Sequence, residues 1–171
     1  ICVTGRLGGS RAALRLLERL GPGAAWEGHH ELILSYSAPH ARTSAGLWLT
    51  RQDAVHAMMD ISDGLSSDLW RIAEASGVRC VVDVSALPVS PAAAAAAHLT
   101  GETLADTALH GGEDFELLFT IAPEGAEAVL GGIVIETGAQ AAVVGRVAEG
   151  EPGVFAADGG AIRPAFEHFA P

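Results

Sequence analysis

The chain has 171 residues, 49% hydrophobic and 18% charged, and carries a formal charge of −11 from 21 acidic and 10 basic residues. That is enough chain for one domain with a core, and too apolar a composition for disorder. All ten basic residues are Arg, which excludes P-loop and Schiff-base lysines within the chain, and the acidic balance argues against nucleic-acid binding.

The predicted elements run as follows. Residues 1–3 read as a strand end. Gly5-Arg-Leu-Gly-Gly9 is a turn, and Ser10 is placed to cap a helix over 11–20 that stops at Gly21. Residues 31–36 and 43–49 read as helices, with Pro39 between them. A buried strand over 55–59 leads to Asp60, and an amphipathic helix over 65–76 closes at Gly77. A strand follows at 79–84, then an Ala-rich helix from Pro91 to His98 and another helix at 103–109. Residues 115–121 read as a strand and 124–130 as a helix. Residues 133–136 and 141–147 read as the last strands, and 156–160 as a turn. Helices and short strands alternate without a strict βαβ rhythm. The fold class expected is therefore α/β (α+β), a sandwich with a mixed sheet flanked by helices.

Apolar runs are short and interrupted, so neither a membrane span nor a signal peptide is expected. Cys2 and Cys80 form no CxxC pair and sit in apolar segments, which fits buried free thiols in a reducing cytoplasm. The chain opens on Ile1 within a strand-like segment. This predicts a fragment or a processed product, with part of a larger protein missing.

Two acidic junctions carry the chemistry. Asp60-Ile-Ser-Asp-Gly-Leu-Ser-Ser-Asp68 runs from strand through turn into helix. Gly111-Gly-Glu-Asp-Phe-Glu116 runs from helix through Gly-Gly into strand. Carboxylates at a chain reversal attract hard cations, and free backbone N–H groups at a helix entrance attract phosphate oxygens. A plain helix cap would explain the first junction alone, and a solvated loop the second. Two such junctions in one small domain favour a metal–phosphate site. Asp68 reads either as part of that set or as a surface residue. The seven His are scattered and form no HExxH ligand set.

Ala57-Met-Met-Asp-Ile-Ser-Asp-Gly-Leu-Ser-Ser-Asp-Leu69 and Ala108-Leu-His-Gly-Gly-Glu-Asp-Phe-Glu-Leu-Leu-Phe-Thr120 resemble segments of the thiamine-monophosphate kinases. So do Val3-Thr-Gly-Arg-Leu-Gly-Gly-Ser10, Ala86-Leu-Pro-Val-Ser90 and the ending Phe166-Glu-His-Phe-Ala170, in the same order. This resemblance implies that residues 1–171 are a C-terminal substrate- and metal-binding domain of the aminoimidazole ribonucleotide synthetase-like fold, a three-layer sandwich, with an N-terminal ATP-binding domain absent from this chain. It implies ATP-dependent phosphorylation of thiamine monophosphate to thiamine diphosphate, with Mg²⁺, by a homodimer when full length. By motif position, Asp60 and Asp63 would bind Mg²⁺ and Ser62 would contact ATP. Glu113 would contact the thiamine substrate, and Phe166 would pack on it. Pro39-His-Ala-Arg42 departs from the Pro-x-Pro-Arg stretch usual in the family by losing the second Pro. The alternatives are a related synthetase acting on another small molecule and a non-catalytic interaction domain on the same fold.

Overall fold

The computed structural model describes residues 1–165. In chain order it has β1 (Cys2–Thr4), α1 (Gly9–Leu20), α2 (Pro22–Ser37), α3 (Thr43–Leu49), β2 (Val55–Asp60), α4 (Leu65–Ser76) and β3 (Arg79–Val82). These are followed by α5 (Pro91–Thr100), α6 (Leu104–His110), β4 (Leu117–Ile121), α7 (Ala126–Thr137), β5 (Ala141–Val143), β6 (Gly145–Ala148) and β7 (Gly153–Ala156). The strands divide between two sheets. A four-stranded antiparallel sheet has the order β2-β4-β1-β5, and a three-stranded mixed sheet has the order β6-β3-β7.

Register explains how the four-stranded sheet is covered on both faces. Cys2 and Met58 both pair with Phe119, whereas Val3 and Met59 both pair with Leu118. Successive strand side chains point to opposite faces. The Cys2–Met58–Phe119 row therefore packs with Leu49 of α3 and with Val129 and Ile133 of α7. The Val3–Met59–Leu118 row packs with Leu65 and Leu69 of α4, Leu109 of α6, and Val82 and Val154 of the smaller sheet. A third cluster joins α1, α2 and α5 through Leu16, Leu32, Ala93 and their neighbours. The α/β class with helices flanking sheet is thus the observed architecture.

Several local expectations change. Residues 133–136 are helical, within α7, although Ile133-Val-Ile135 has strand propensity. Val129 and Ile133, one turn apart, are buried against the sheet, while Ile135 is exposed, so packing decides the segment. The strand expected over 141–147 breaks at buried Val144, where the chain passes from one sheet to the other. β2 is half-buried rather than buried. The segment before the turn at 156–160 is a strand, β7. The helix expected at 31–36 extends back to Pro22 and is kinked at His29. Ser10 lies inside α1, whose N-cap is Gly8 in the left-handed region, at φ 81°. Ser10 caps nothing, because it lies within the first turn, and Asp114 accepts its N–H and that of Gly8 instead.

Candidate active site

The two acidic junctions are joined by backbone. The Ile61 N–H donates to the Glu116 carbonyl at 2.8 Å, the Phe115 N–H to the Ile61 carbonyl at 3.0 Å, and the Glu113 N–H to the Ser62 carbonyl at 2.9 Å. Gly112 is required here, since a Cβ on it would lie 2.6 Å from the Ser62 carbonyl oxygen. Glu113 and Phe115 have φ of 63° and 50°, in a region non-glycine residues seldom occupy. Local strain of this kind persists where surrounding structure over-determines it, and it clusters at functional sites.

Asp68, read from sequence as either a site or a surface residue, is fully buried. It accepts the Ser62 N–H at 3.0 Å and the Asp63 N–H at 3.1 Å. Burial raises its pKa, opposed by those N–H bonds and by the Arg71 guanidinium. Arg71 pairs with both Asp68 and Asp63. Asp68 therefore holds the turn in shape from beneath, and Asp63 stands above it with its charge partly balanced.

The second junction is anchored to the start of the chain. Asp114 accepts the Gly8 N–H at 2.7 Å and the Ser10 N–H at 3.2 Å, filling the N-terminus of α1. Burial nonetheless pushes its pKa up to about 7, with the charge of Glu116 adding to the rise. Glu116 is buried, accepts the Thr4 hydroxyl at 2.6 Å, and takes both arms of Arg42 at 2.6 and 2.7 Å. Arg42, the residue kept from the Pro-x-Pro-Arg pattern, thus serves the acidic loop directly.

A cleft of about 560 Å³ opens over these junctions. Ser62, Asp63 and Glu113 line one side, as the sequence reading had grouped them. Arg11, Arg15 and Tyr36 line the other. Asp60 is exposed at the end of β2 and is not among the lining residues. Phe166 lies outside the described residues. Ala165 does reach the cleft, its N–H donating to the Ser67 hydroxyl at 3.1 Å. His110 sits at the cleft with Nδ1 2.8 Å from the Ser66 hydroxyl, and burial lowers its pKa. The sequence reading missed Arg11, Arg15, Tyr36 and Arg71. The first two are four residues apart on one helix face, a signal visible in the sequence. Arg71 stands three residues after Asp68 on α4, a local signal as well, whereas the packing of Tyr36 against α1 and α5 depends on contacts between elements.

Among the described residues, no group of three or more His, Cys, Asp or Glu side chains is placed to hold a metal ion. Mg²⁺ is commonly held by one or two carboxylates together with substrate phosphates. Cleft-lining Asp63 is a carboxylate of that kind, with Arg71 already balancing part of its charge, and Asp60 is exposed three residues before it at the end of β2.

Among the described residues, no helix is long and apolar enough to cross a membrane. The chain is 36% identical over 157 residues to the thiamine-monophosphate kinase of Pyrococcus horikoshii, covering 88% of this chain and 43% of the relative. The crystal structure of thiamine-monophosphate kinase from Stenotrophomonas maltophilia K279a superposes with a TM-score of 0.81 at 36% identity, over 94% of this chain and 50% of that one. AaThiL complexed with AMPPCP and TMP gives a TM-score of 0.81 at 32% identity, over 98% of this chain and 50% of that one. The chain therefore spans about half the length of the relatives it matches. Residues 38–157 match the model of the AIR synthase related protein, C-terminal domain, and with the two stitched junctions inside that span the chain belongs to this family.

Proposed function

We propose that this chain is the C-terminal part of a thiamine-monophosphate kinase, which transfers the γ-phosphoryl group of ATP to thiamine monophosphate and forms thiamine diphosphate. In this reading an N-terminal ATP-binding domain completes the enzyme. One observation carries it: Ser62, Asp63 and Glu113, from sequence segments some fifty residues apart, meet on one cleft. The fold shared with AaThiL complexed with AMPPCP and TMP supports it.

Phosphoryl transfer between two polyanions needs positioning and charge neutralisation more than a covalent nucleophile. The acceptor is itself a phosphate, so no strong base is needed. Asp68 fixes the Ser62–Asp63 turn through two backbone bonds, so that the Ser62 side chain can bind ATP. Asp60 and Asp63 are the residues that would hold Mg²⁺, which when bound offsets phosphate charge. Glu113, exposed on the cleft with a left-handed backbone, takes the thiamine moiety. The two buried free thiols, Cys2 and Cys80, support a cytoplasmic setting. The full-length protein is a homodimer in this reading, which light scattering would check.

The deciding experiment incubates the full-length protein with thiamine monophosphate, ATP and Mg²⁺ and measures thiamine diphosphate. Formation of product that depends on all three is expected. A folded full-length protein that makes none would overturn the reading.

A further inference from the structure

Asp114 joins two cleft-lining segments without lining the cleft itself. Glu113, the residue before it, lines the cleft, as do Ser10 and Arg11 of α1. Asp114 instead lines a second cavity, of about 540 Å³, together with Glu116 and Arg42. One of its carboxylate oxygens accepts the Gly8 N–H at 2.7 Å and the other accepts the Ser10 N–H at 3.2 Å. The residues on either side, Glu113 and Phe115, have φ of 63° and 50°, a conformation the surroundings must enforce. The backbone bonds to Ser62 and Ile61 supply part of that enforcement. The Asp114 carboxylate supplies the tie to α1.

Two N–H groups need two acceptor oxygens. An ionised carboxylate offers only acceptors, whereas a protonated one turns an oxygen into a hydroxyl donor. The Gly8 and Ser10 amides, at the positive end of α1, therefore favour the ionised form. Burial and the charge of Glu116 oppose it and raise the pKa to about 7. Glu116 is itself engaged by both arms of Arg42. The other charged or titratable groups around the cavity are Arg6, Glu31 and His40, all exposed. We infer that Asp114 is a positioning residue: in its ionised form it ties the Glu113 loop to the N-terminus of α1, and the tie fixes where Glu113 stands relative to Ser10 and Arg11 in the cleft. Stability and function then pull in opposite directions here, since the fold gains from a proton that the cleft needs removed. The substrate affected rests on the kinase reading and is thiamine monophosphate, which Glu113 takes in that reading.

Asp114→Asn has the shape of aspartate, one acceptor oxygen and an NH₂ group facing the other amide, so it copies the protonated acid at every pH. In the full-length protein at pH 8 it should raise the KM for thiamine monophosphate on the order of tenfold, the scale of one charge-assisted hydrogen bond, with kcat and the KM for ATP little changed. At pH 6 the two proteins should converge, because the wild type is then protonated. The substrate phosphate also titrates at about pH 6, but it does so identically in both, so the ratio of the two KM values isolates Asp114. A ratio of one at pH 8, or an equal ratio at pH 6 and pH 8, would overturn the positioning role. Amide hydrogen exchange in the wild-type full-length protein needs neither activity nor a folded variant. Corrected for intrinsic rates, protection at Gly8 and Ser10 should fall from pH 8 to pH 6, while the contribution of Asp114 to global stability moves the other way. Constant protection would also overturn the role. If the full-length protein forms no thiamine diphosphate, the kinase reading fails and the exchange result alone decides the role of Asp114.

Discussion

Asp114 and Asp60 show how differently the carboxylates of the two acidic junctions are employed. Asp114 has its pKa raised to about 7, chiefly by burial. Between about pH 4 and 7 the native state therefore holds a proton that the unfolded state has lost, so the contribution of this group to stability falls as pH rises through that window. Buried Asp68, also raised, acts in the same direction. We expect urea midpoints to decline from pH 5 to pH 8, and Asp114→Asn to shrink that decline by gaining stability at pH 8. An unchanged pH slope in the variant would show that Asp114 is ionised throughout. Asp60 carries no such structural duty, being exposed at a strand end. Asp60→Asn should leave the Tm of the full-length protein unchanged while lowering kcat by the equivalent of about 2–4 kcal/mol, as for loss of one electrostatic stabiliser. Normal turnover would remove it from the metal set. Asp63→Asn should lower both kcat and Tm, since its carboxylate also pairs with Arg71.

At the scale of elements, the acidic loop before β4 is held between β1 and the entrance of α3. Glu116 gathers Thr4 from β1 and Arg42, the residue preceding α3, and the Thr4 hydroxyl oxygen in turn accepts the Leu117 N–H at 2.8 Å. Removing one partner of such a pair leaves a buried charge without compensation. The Glu116 side chain is 8% exposed and that of Arg42 26%, so the cost falls below that of a fully buried pair. Arg42→Ala should destabilise the chain by about 2–3 kcal/mol in urea unfolding. The double variant Arg42→Met, Glu116→Leu should recover most of that loss, because an apolar pair leaves no charge stranded. If Arg42→Ala costs nothing, the pair is solvated and the loop is held by backbone bonds alone.

At the scale of the whole molecule, three buried clusters close around the sheets and helices of the described residues. The chain spans about half of its relatives, and of the two candidate metal carboxylates only Asp63 lines its cleft. We therefore expect the chain by itself to unfold cooperatively and to bind thiamine monophosphate, yet to form no thiamine diphosphate from it with ATP and Mg²⁺. Robust turnover by the 171-residue chain would refute the division of labour proposed here.

Much of this was legible in residue order, for local reasons. Helix α4 was bounded correctly because its 3.6-residue period and closing Gly77 act within the segment. The junctions at Asp60–Asp68 and Gly111–Glu116 stood out because carboxylates beside glycines at a change of period are rare. Other features had no local signature. Ile133-Val-Ile135 became helix because Val129 and Ile133 bury against the sheet, and the strand over 141–147 broke because Val144 is where the two sheets meet. Asp68 turned inward because two N–H groups of the preceding turn needed an acceptor there. The sequence by itself determined which residues could carry the chemistry, since residue type and short spacing are local properties. Only the tertiary structure decided which of them meet: the backbone bonds from Glu113 to Ser62 and from Phe115 to Ile61 join segments some fifty residues apart, and no local pattern encodes contacts at that separation.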